Sequence, residues 1–177
     1  FITVLISVIN TEAQNNLWPE NPINTGLNST YLITDATEIT FNGEPFIYGV
    51  LGAFYTDDNG NLQNGGWVTW NNTPMNFPVW ADDETTNDEK DGFASGEEIT
   101  WLASNDGGIT TYTVNVTYTR GPGGTPGSSN YVANSIHVFS EFAITDTEYC
   151  VNDTDGDGIC DENEEGGCTE PTAINYN

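Results

Sequence analysis

The chain has almost no positive charge. Among its 177 residues only Lys90 and Arg120 are basic, against 27 Asp and Glu, which gives a net charge of −25. Nucleic acids and anionic membrane surfaces are bound through Lys and Arg, so neither is expected as a partner. Because this much negative charge repels itself, cations must offset it by screening or by binding.

Residues that usually carry catalysis are also scarce. His137 is the only histidine, and we predict a structural role because it lies in an alternating run with one apolar face. The nearest serines in sequence, Ser135 and Ser140, lack a nucleophile-elbow pattern. Too few His and Cys are present for catalytic zinc, and no phosphate-binding loop appears. Acids abound, so composition leaves a paired-carboxylate glycosidase open, but we predict that the chain is not an enzyme.

No hydrophobic run is long enough to cross a bilayer, so no transmembrane segment is expected. The chain opens with FITVLISVIN, and small residues follow at Thr11 and Ala13. This pattern predicts a truncated signal peptide over residues 1–13, cleaved before Gln14, and a leader over residues 14–27. The alternative is a β-strand that pairs within the sheet or completes a neighbour's sheet. A signal peptide places the protein outside the cell or at the cell surface.

Helix-forming patterns are missing from residues 28–147, where short runs rich in Thr, Ile, Val and aromatics alternate with turn signals such as Asn42-Gly43. In one run Tyr112, Val114, Val116 and Tyr118 fall on one face, which is typical of a half-buried antiparallel strand. In the last run Ile136, Val138, Phe142 and Ile144 share a face, with Phe139 and Glu141 opposite. We therefore predict an all-β fold, an antiparallel β-sandwich or jelly roll.

Residues 50–101 carry a pattern of glycines, aromatics and acids. The segments LGAFYTDDNGNLQNGG, WVTW and VWADDETTNDEKDGFASGEEITW follow one another. This pattern resembles a β module of secreted Bacteroidetes surface proteins, with Ala81 where the module has Gly. The resemblance implies a secreted β domain and says little about its activity.

The acidic segment of that module offers candidate metal ligands. Eight acids and only one base, Lys90, lie between positions 82 and 98. Hard oxygen donors of this kind suit calcium. The candidates for this second metal site are Asp82, Asp83, Asp91 and Glu97. The alternative is a solvated acidic loop.

Two tryptophans suggest a different function. Trp67 and Trp70 are three residues apart, so on a regular strand they face opposite sides and one could be exposed. An exposed indole could stack on a sugar ring, which makes both residues candidates for contact with an extracellular polysaccharide. The alternative is that both are buried in the core.

The most specific motif lies in the tail, residues 148–177. Three Asp residues spaced two apart, a Gly, and a Glu seven residues after the last of these Asp form a complete twelve-residue calcium loop. Carboxylates provide most ligands, and the seventh loop position provides its backbone carbonyl. The predicted ligands are Asp153, Asp155, Asp157, Ile159, Asp161 and Glu164. The alternative is an acidic linker without an ion.

The flanks of this loop are not those of an EF-hand, because no amphipathic helix precedes it and Gly166-Gly167 follows it. The run CVNDTDGDGICDENEEGGC instead resembles thrombospondin type 3 repeats, in which Asp-rich loops wrap calcium and disulfides join the chain. We expect Cys150 and Cys160 to be bonded in an oxidising medium.

The final residues, GCTEPTAINYN, resemble repeated units of Bacteroidetes surface proteins, with Ile174 where those units have Cys. That departure leaves Cys168 without a local partner, and three cysteines leave the connectivity open. Together these patterns predict a secreted, calcium-binding structural or adhesive module whose calcium makes the tail rigid. Its other partners would be a polysaccharide or a second surface protein, and the alternative is a carbohydrate-binding accessory module of a larger hydrolase.

Overall fold

The computed structural model describes residues 17–20, 24–86, 89–120, 129–150 and 160. This part of the chain contains strands and no helix, which confirms the all-β prediction. The described residues therefore include no helix long and apolar enough to cross a membrane. The strands are β1 Asn28–Ile33, β2 Glu38–Phe41, β3 Glu44–Pro45, β4 Gly49–Thr56, β5 Leu62–Trp70, β6 Met75–Trp80, β7 Thr100–Ser104, β8 Tyr112–Arg120 and β9 Ile136–Glu148.

All nine strands belong to one mixed sheet. Its main path runs β3-β2-β9-β8-β7-β4-β5, and β1 joins β6 to β9. Most pairs are antiparallel as expected, but β9 lies parallel to both β1 and β2. Parallel neighbours need a long crossover connection, which a local pattern of alternation does not reveal.

The β2–β3 hairpin shows how local sequence sets a turn. Asn42 and Gly43 have φ angles of 51° and 83°, and Phe41 pairs with Glu44. A two-residue turn with two positive φ angles follows the right-handed twist of the flanking strands, and Asn-Gly adopts it at low cost. The turn prediction at this position is confirmed.

The larger cluster of buried residues, which we call the inner core, includes Tyr31, Leu51, Phe77, Trp101 and Phe142. Trp101 is at its centre and makes edge contacts with Tyr31, Phe77, Phe139 and Phe142 at centroid distances of 5.1–5.8 Å. Aromatic pairs favour this edge-to-face geometry over a stacked sandwich. The predicted face of β8, from Tyr112 to Tyr118, packs against the same core.

Strand β9 departs from the predicted alternation. His137 and Phe139 are buried together with Phe142 and Ile144, while Ile136 is 58% exposed. The pairing of β8 with β9 shifts register between Thr117 and Tyr118, since Thr117 pairs with Glu141 and Tyr118 with Phe139. One extra residue at such a bulge moves all following side chains to the other face. The prediction that Ile136 and Val138 share the face of Phe142 is therefore wrong.

The outer cluster covers the opposite face of β4, β5 and β7. It is formed by buried Leu17, Trp18, Phe54 and Leu102, with Trp67 and Tyr149 packed beside them. The indole of Trp18 lies 5.2 Å from the Phe54 ring, edge on, and its Nε1–H donates to Thr111 Oγ1 at 2.9 Å. Leu17 and Trp18, two residues of the predicted leader, thus pack against the nine-stranded β domain, which we call the body.

Glycines make room for this tryptophan. A side chain on Gly52 or Gly108 would collide with the indole of Trp18. Gly108 also has φ +96°, a conformation that residues with a side chain rarely adopt. The indole of Trp18 therefore packs closely against the backbone at Gly52 and Gly108, and we call this site the Trp18 socket.

Candidate functional site

The strongest sequence motif, the calcium loop at 153–164, lies outside the described residues except for Cys160. The six predicted ligands are therefore not placed by the structure. Cys160 is 3% exposed and is bonded to Cys150, with 4.9 Å between the two Cα atoms. The predicted disulfide is confirmed. It closes a covalent ring that includes Asp153, Asp155 and Asp157.

The residue before this disulfide is fixed to the body. Tyr149 N–H donates to the Thr111 carbonyl at 2.7 Å, and the Tyr149 ring packs on the outer cluster. Burial raises the pKa of the Tyr149 phenol above its ordinary value. The tail therefore starts from a defined point at the end of β9.

The acidic loop, residues 81–96, is held by its own carboxylates. Asp82 Oδ1 accepts the Asp91 N–H at 2.9 Å, and Asp91 Oδ1 accepts the Asp83 N–H at the same distance. Hydrogen bonds from the Thr85 hydroxyl and N–H hold the pKa of Asp83 below its usual range. Three of the four proposed ligands are thus close together, with oxygens directed at the loop backbone.

Glu97, the fourth candidate, makes different contacts. Its Oε1 forms a 2.8 Å ion pair with Lys90 Nζ and accepts the Thr56 N–H at 3.1 Å. Its Oε2 accepts the Ala94 N–H at 2.9 Å. Lys90 Nζ also lies 5.3 Å from the centroid of the Tyr55 ring. Glu97 therefore neutralises the one lysine and caps a turn.

No group of three or more His, Cys, Asp or Glu in the described ranges is arranged to hold a metal ion. The second calcium site at Asp82, Asp83, Asp91 and Glu97 stays a prediction. In the structure these side chains accept hydrogen bonds from backbone N–H groups, and Glu97 also pairs with Lys90.

Phe93 explains the rest of the motif. Its ring is buried, stacked on Tyr131 at 5.1 Å and edge-on to Tyr55 at 5.5 Å. Gly65 leaves room for it, because a Cβ there would collide with the ring. The Asp-Gly-Phe sequence therefore anchors the acidic loop in the inner core.

The two candidate sugar-stacking tryptophans face opposite sides of β5, as predicted from their spacing. Trp70 is 5% exposed in the inner core, and its Nε1–H donates to the Phe46 carbonyl at 2.7 Å. Trp67 is half-buried beside the outer cluster, and its Nε1 is buried with no partner among the described residues. Polysaccharide contact at these residues stays a prediction.

His137 is fully buried in the inner core. Its ring stacks on Tyr31 at 4.3 Å, and Nε2 lies 2.7 Å from Ser135 Oγ. Burial lowers its pKa, and Nδ1 has no partner within the described part of the chain. A serine at hydrogen-bond distance from a histidine is thus present, but with both side chains closed off from solvent.

Sequence reasoning overlooked a cleft between β7 and β8, lined by residues of both faces. It has a volume of about 410 Å³ and lies where β7 and β8 separate. The polar or amphipathic residues of its lining are Thr56, Glu97, Glu98, Thr100, Thr113 and Tyr149. The sequence gives no signal for this site, because three scattered threonines have no recognisable spacing.

Comparison of the chain with protein-family models, with curated proteins and with solved structures gave no match.

Proposed function

We propose that the chain is a calcium-binding structural or adhesive module of a secreted surface protein, in which calcium makes the acidic tail rigid. The observation that supports it most is the Cys150–Cys160 disulfide. It joins the eighth position of the twelve-residue loop to the end of β9. A loop closed in this way loses less conformational entropy when it wraps an ion.

Charge supports the same proposal. The tail, residues 148–177, carries nine acids and no base. Apposed carboxylates repel one another, and a divalent ion coordinated by oxygens removes that cost. The disulfide also favours an oxidising compartment, consistent with secretion.

Calcium should therefore stabilise the whole chain. At a free calcium concentration about 100 times the dissociation constant, the gain is about 2.7 kcal/mol. For a chain of this size the thermal midpoint should rise by roughly 5–10 °C. Calorimetric scans in calcium and in EDTA measure the difference. Equal midpoints in both would contradict the proposal.

Paired variants locate the effect. Asp155→Ala with Glu164→Ala removes two predicted ligands and should abolish most of the calcium gain. Asp35→Ala with Glu44→Ala removes the same charge from two exposed positions on the body and should keep it. A gain lost equally in both pairs would indicate general screening instead of a site.

A further inference from the structure

The cleft beside Tyr149 exists because two neighbouring strands stop pairing. β7 and β8 pair at Leu102–Thr113 and Ala103–Tyr112. Ahead of Leu102 the chain pairs with another segment instead, since Ile99 N–H donates to the Ser129 carbonyl at 2.9 Å. The strands therefore diverge and leave a concavity of about 410 Å³, within the range of roughly 300–1,000 Å³ typical of small-ligand sites.

Several polar side chains of the cleft have no hydrogen-bond partner in the described part of the chain. The side chains of Thr56, Thr100 and Glu98 make no hydrogen bond within the described residues. The hydroxyl of Tyr149 likewise has no partner there, although its ring is half-buried against the outer cluster. The lining thus combines one packed aromatic residue with hydroxyls that can donate and accept, and with a carboxylate that accepts.

The charge of the cleft narrows the ligand class. Glu97 also lines it, but its carboxylate is paired with Lys90 at 2.8 Å. Among the described residues, Glu98 is therefore the lining carboxylate without an ion pair, and the lining includes no basic residue. Phosphate, sulfate and uronate groups would be repelled. An organic ammonium ion only donates hydrogen bonds and would need acceptors alone. The threonine and tyrosine hydroxyls of this lining can donate as well as accept.

The geometry points to a binding site for a neutral polysaccharide in this cleft, with one sugar ring on Tyr149 and its hydroxyls bonded to Glu98, Thr100 and Thr56. The aromatic ring covers the apolar C–H face of a sugar, and the free side chains satisfy its hydroxyls. This site is separate from Trp67 and Trp70. It also does not depend on the proposed calcium loop.

Amide NMR of the full chain in EDTA tests the site without calcium. Cellohexaose, laminarihexaose, xylohexaose and mannohexaose serve as neutral probes, with an oligogalacturonate as the anionic probe and spermidine as the amine. At least one neutral probe should shift the amides of Thr100 and Thr113, and the oligogalacturonate should not. No shift at the cleft with any neutral probe would overturn the proposal, and so would shifts with spermidine alone.

Variants then assign the contacts. Glu98→Ala should weaken binding about tenfold, as expected for a lost hydrogen bond to a charged group. Thr100→Val keeps the shape and removes one hydroxyl, so about a fivefold loss is expected. Glu44→Ala, an exposed carboxylate on β3, is the charge-matched control and should bind like the parent. Unchanged binding in both cleft variants would place the sugar elsewhere and overturn the assignment.

Discussion

The two faces of the β4–β5–β7 region are buried in different ways. The inner core is made of side chains from most strands of the sheet, with Trp101 among four aromatic neighbours. Among the described residues the outer cluster has four buried members, and two of them, Leu17 and Trp18, precede the first strand. One face of this region is therefore covered by side chains from the other strands, and the other face is covered in part by the segment that holds Leu17 and Trp18.

The largest effect should come from the inner core. Trp101→Ala leaves a cavity bordered by Tyr31, Phe77 and Phe139, and should cost about 3–5 kcal/mol of unfolding free energy. Urea unfolding followed by circular dichroism measures it. If Trp101→Ala lost less unfolding free energy than Trp18→Ala, the outer cluster would contribute more to stability than the inner core.

A smaller loss is expected on the outer face. Trp18→Ala should cost about 2 kcal/mol, because fewer neighbours surround the indole and water can reach the emptied socket. Gly108→Ala should also destabilise, since it combines φ +96° with a collision against Trp18. Ile109→Ala, at a side chain 87% exposed, is the control and should stay within about 0.5 kcal/mol. Parent-like stability of Trp18→Ala would mean that the docked segment is dispensable.

The smallest expected effect is the pH dependence of stability contributed by His137, which is buried in the inner core. Burial lowers the pKa of His137 below its ordinary 6.5, so the unfolded chain binds a proton more readily than the folded one. Stability should therefore be full above pH 6.5 and fall as the pH drops toward the folded pKa. The groups facing the ring are Tyr31, Tyr118 and Ser135, none of which is a carboxylate.

Unfolding free energies at pH 7.5 and 5.5 measure this step. His137→Asn lacks the titrating ring, so it should lose less stability than the parent over that interval, despite its lower starting value. An equal pH dependence in both proteins would show that the carboxylates cause the whole slope.

The sequence predicted the strands of the body well because their signals are local. Side chains alternate in β8 from Tyr112 to Tyr118, and Asn42-Gly43 sets a hairpin on its own. The disulfide between Cys150 and Cys160 was also predictable, since the two residues lie close in sequence. Each of these features depends on neighbours within about ten residues.

Features that depend on distant partners were not predictable. The bulge in β9 follows from how β8 pairs with it, and the parallel neighbours follow from the order of strands. The sequence places Trp18 in the leader, because no local signal shows that Gly52 and Gly108 leave room for its indole. The hydrogen bonds by which Asp82 and Asp91 hold backbone N–H groups of the acidic loop were likewise not predictable from the sequence.

The Cys150–Cys160 disulfide also decides how tension would pass through the molecule. A pull on the chain beyond Cys160 reaches Cys150 through the sulfur atoms, so residues 151–159 bear none of the load. The load then enters β9, which pairs with β8 on one edge and, over residues 136–138 and 141–144, with β1 and β2 on the other. A force on β9 is therefore resisted by its hydrogen bonds to three other strands.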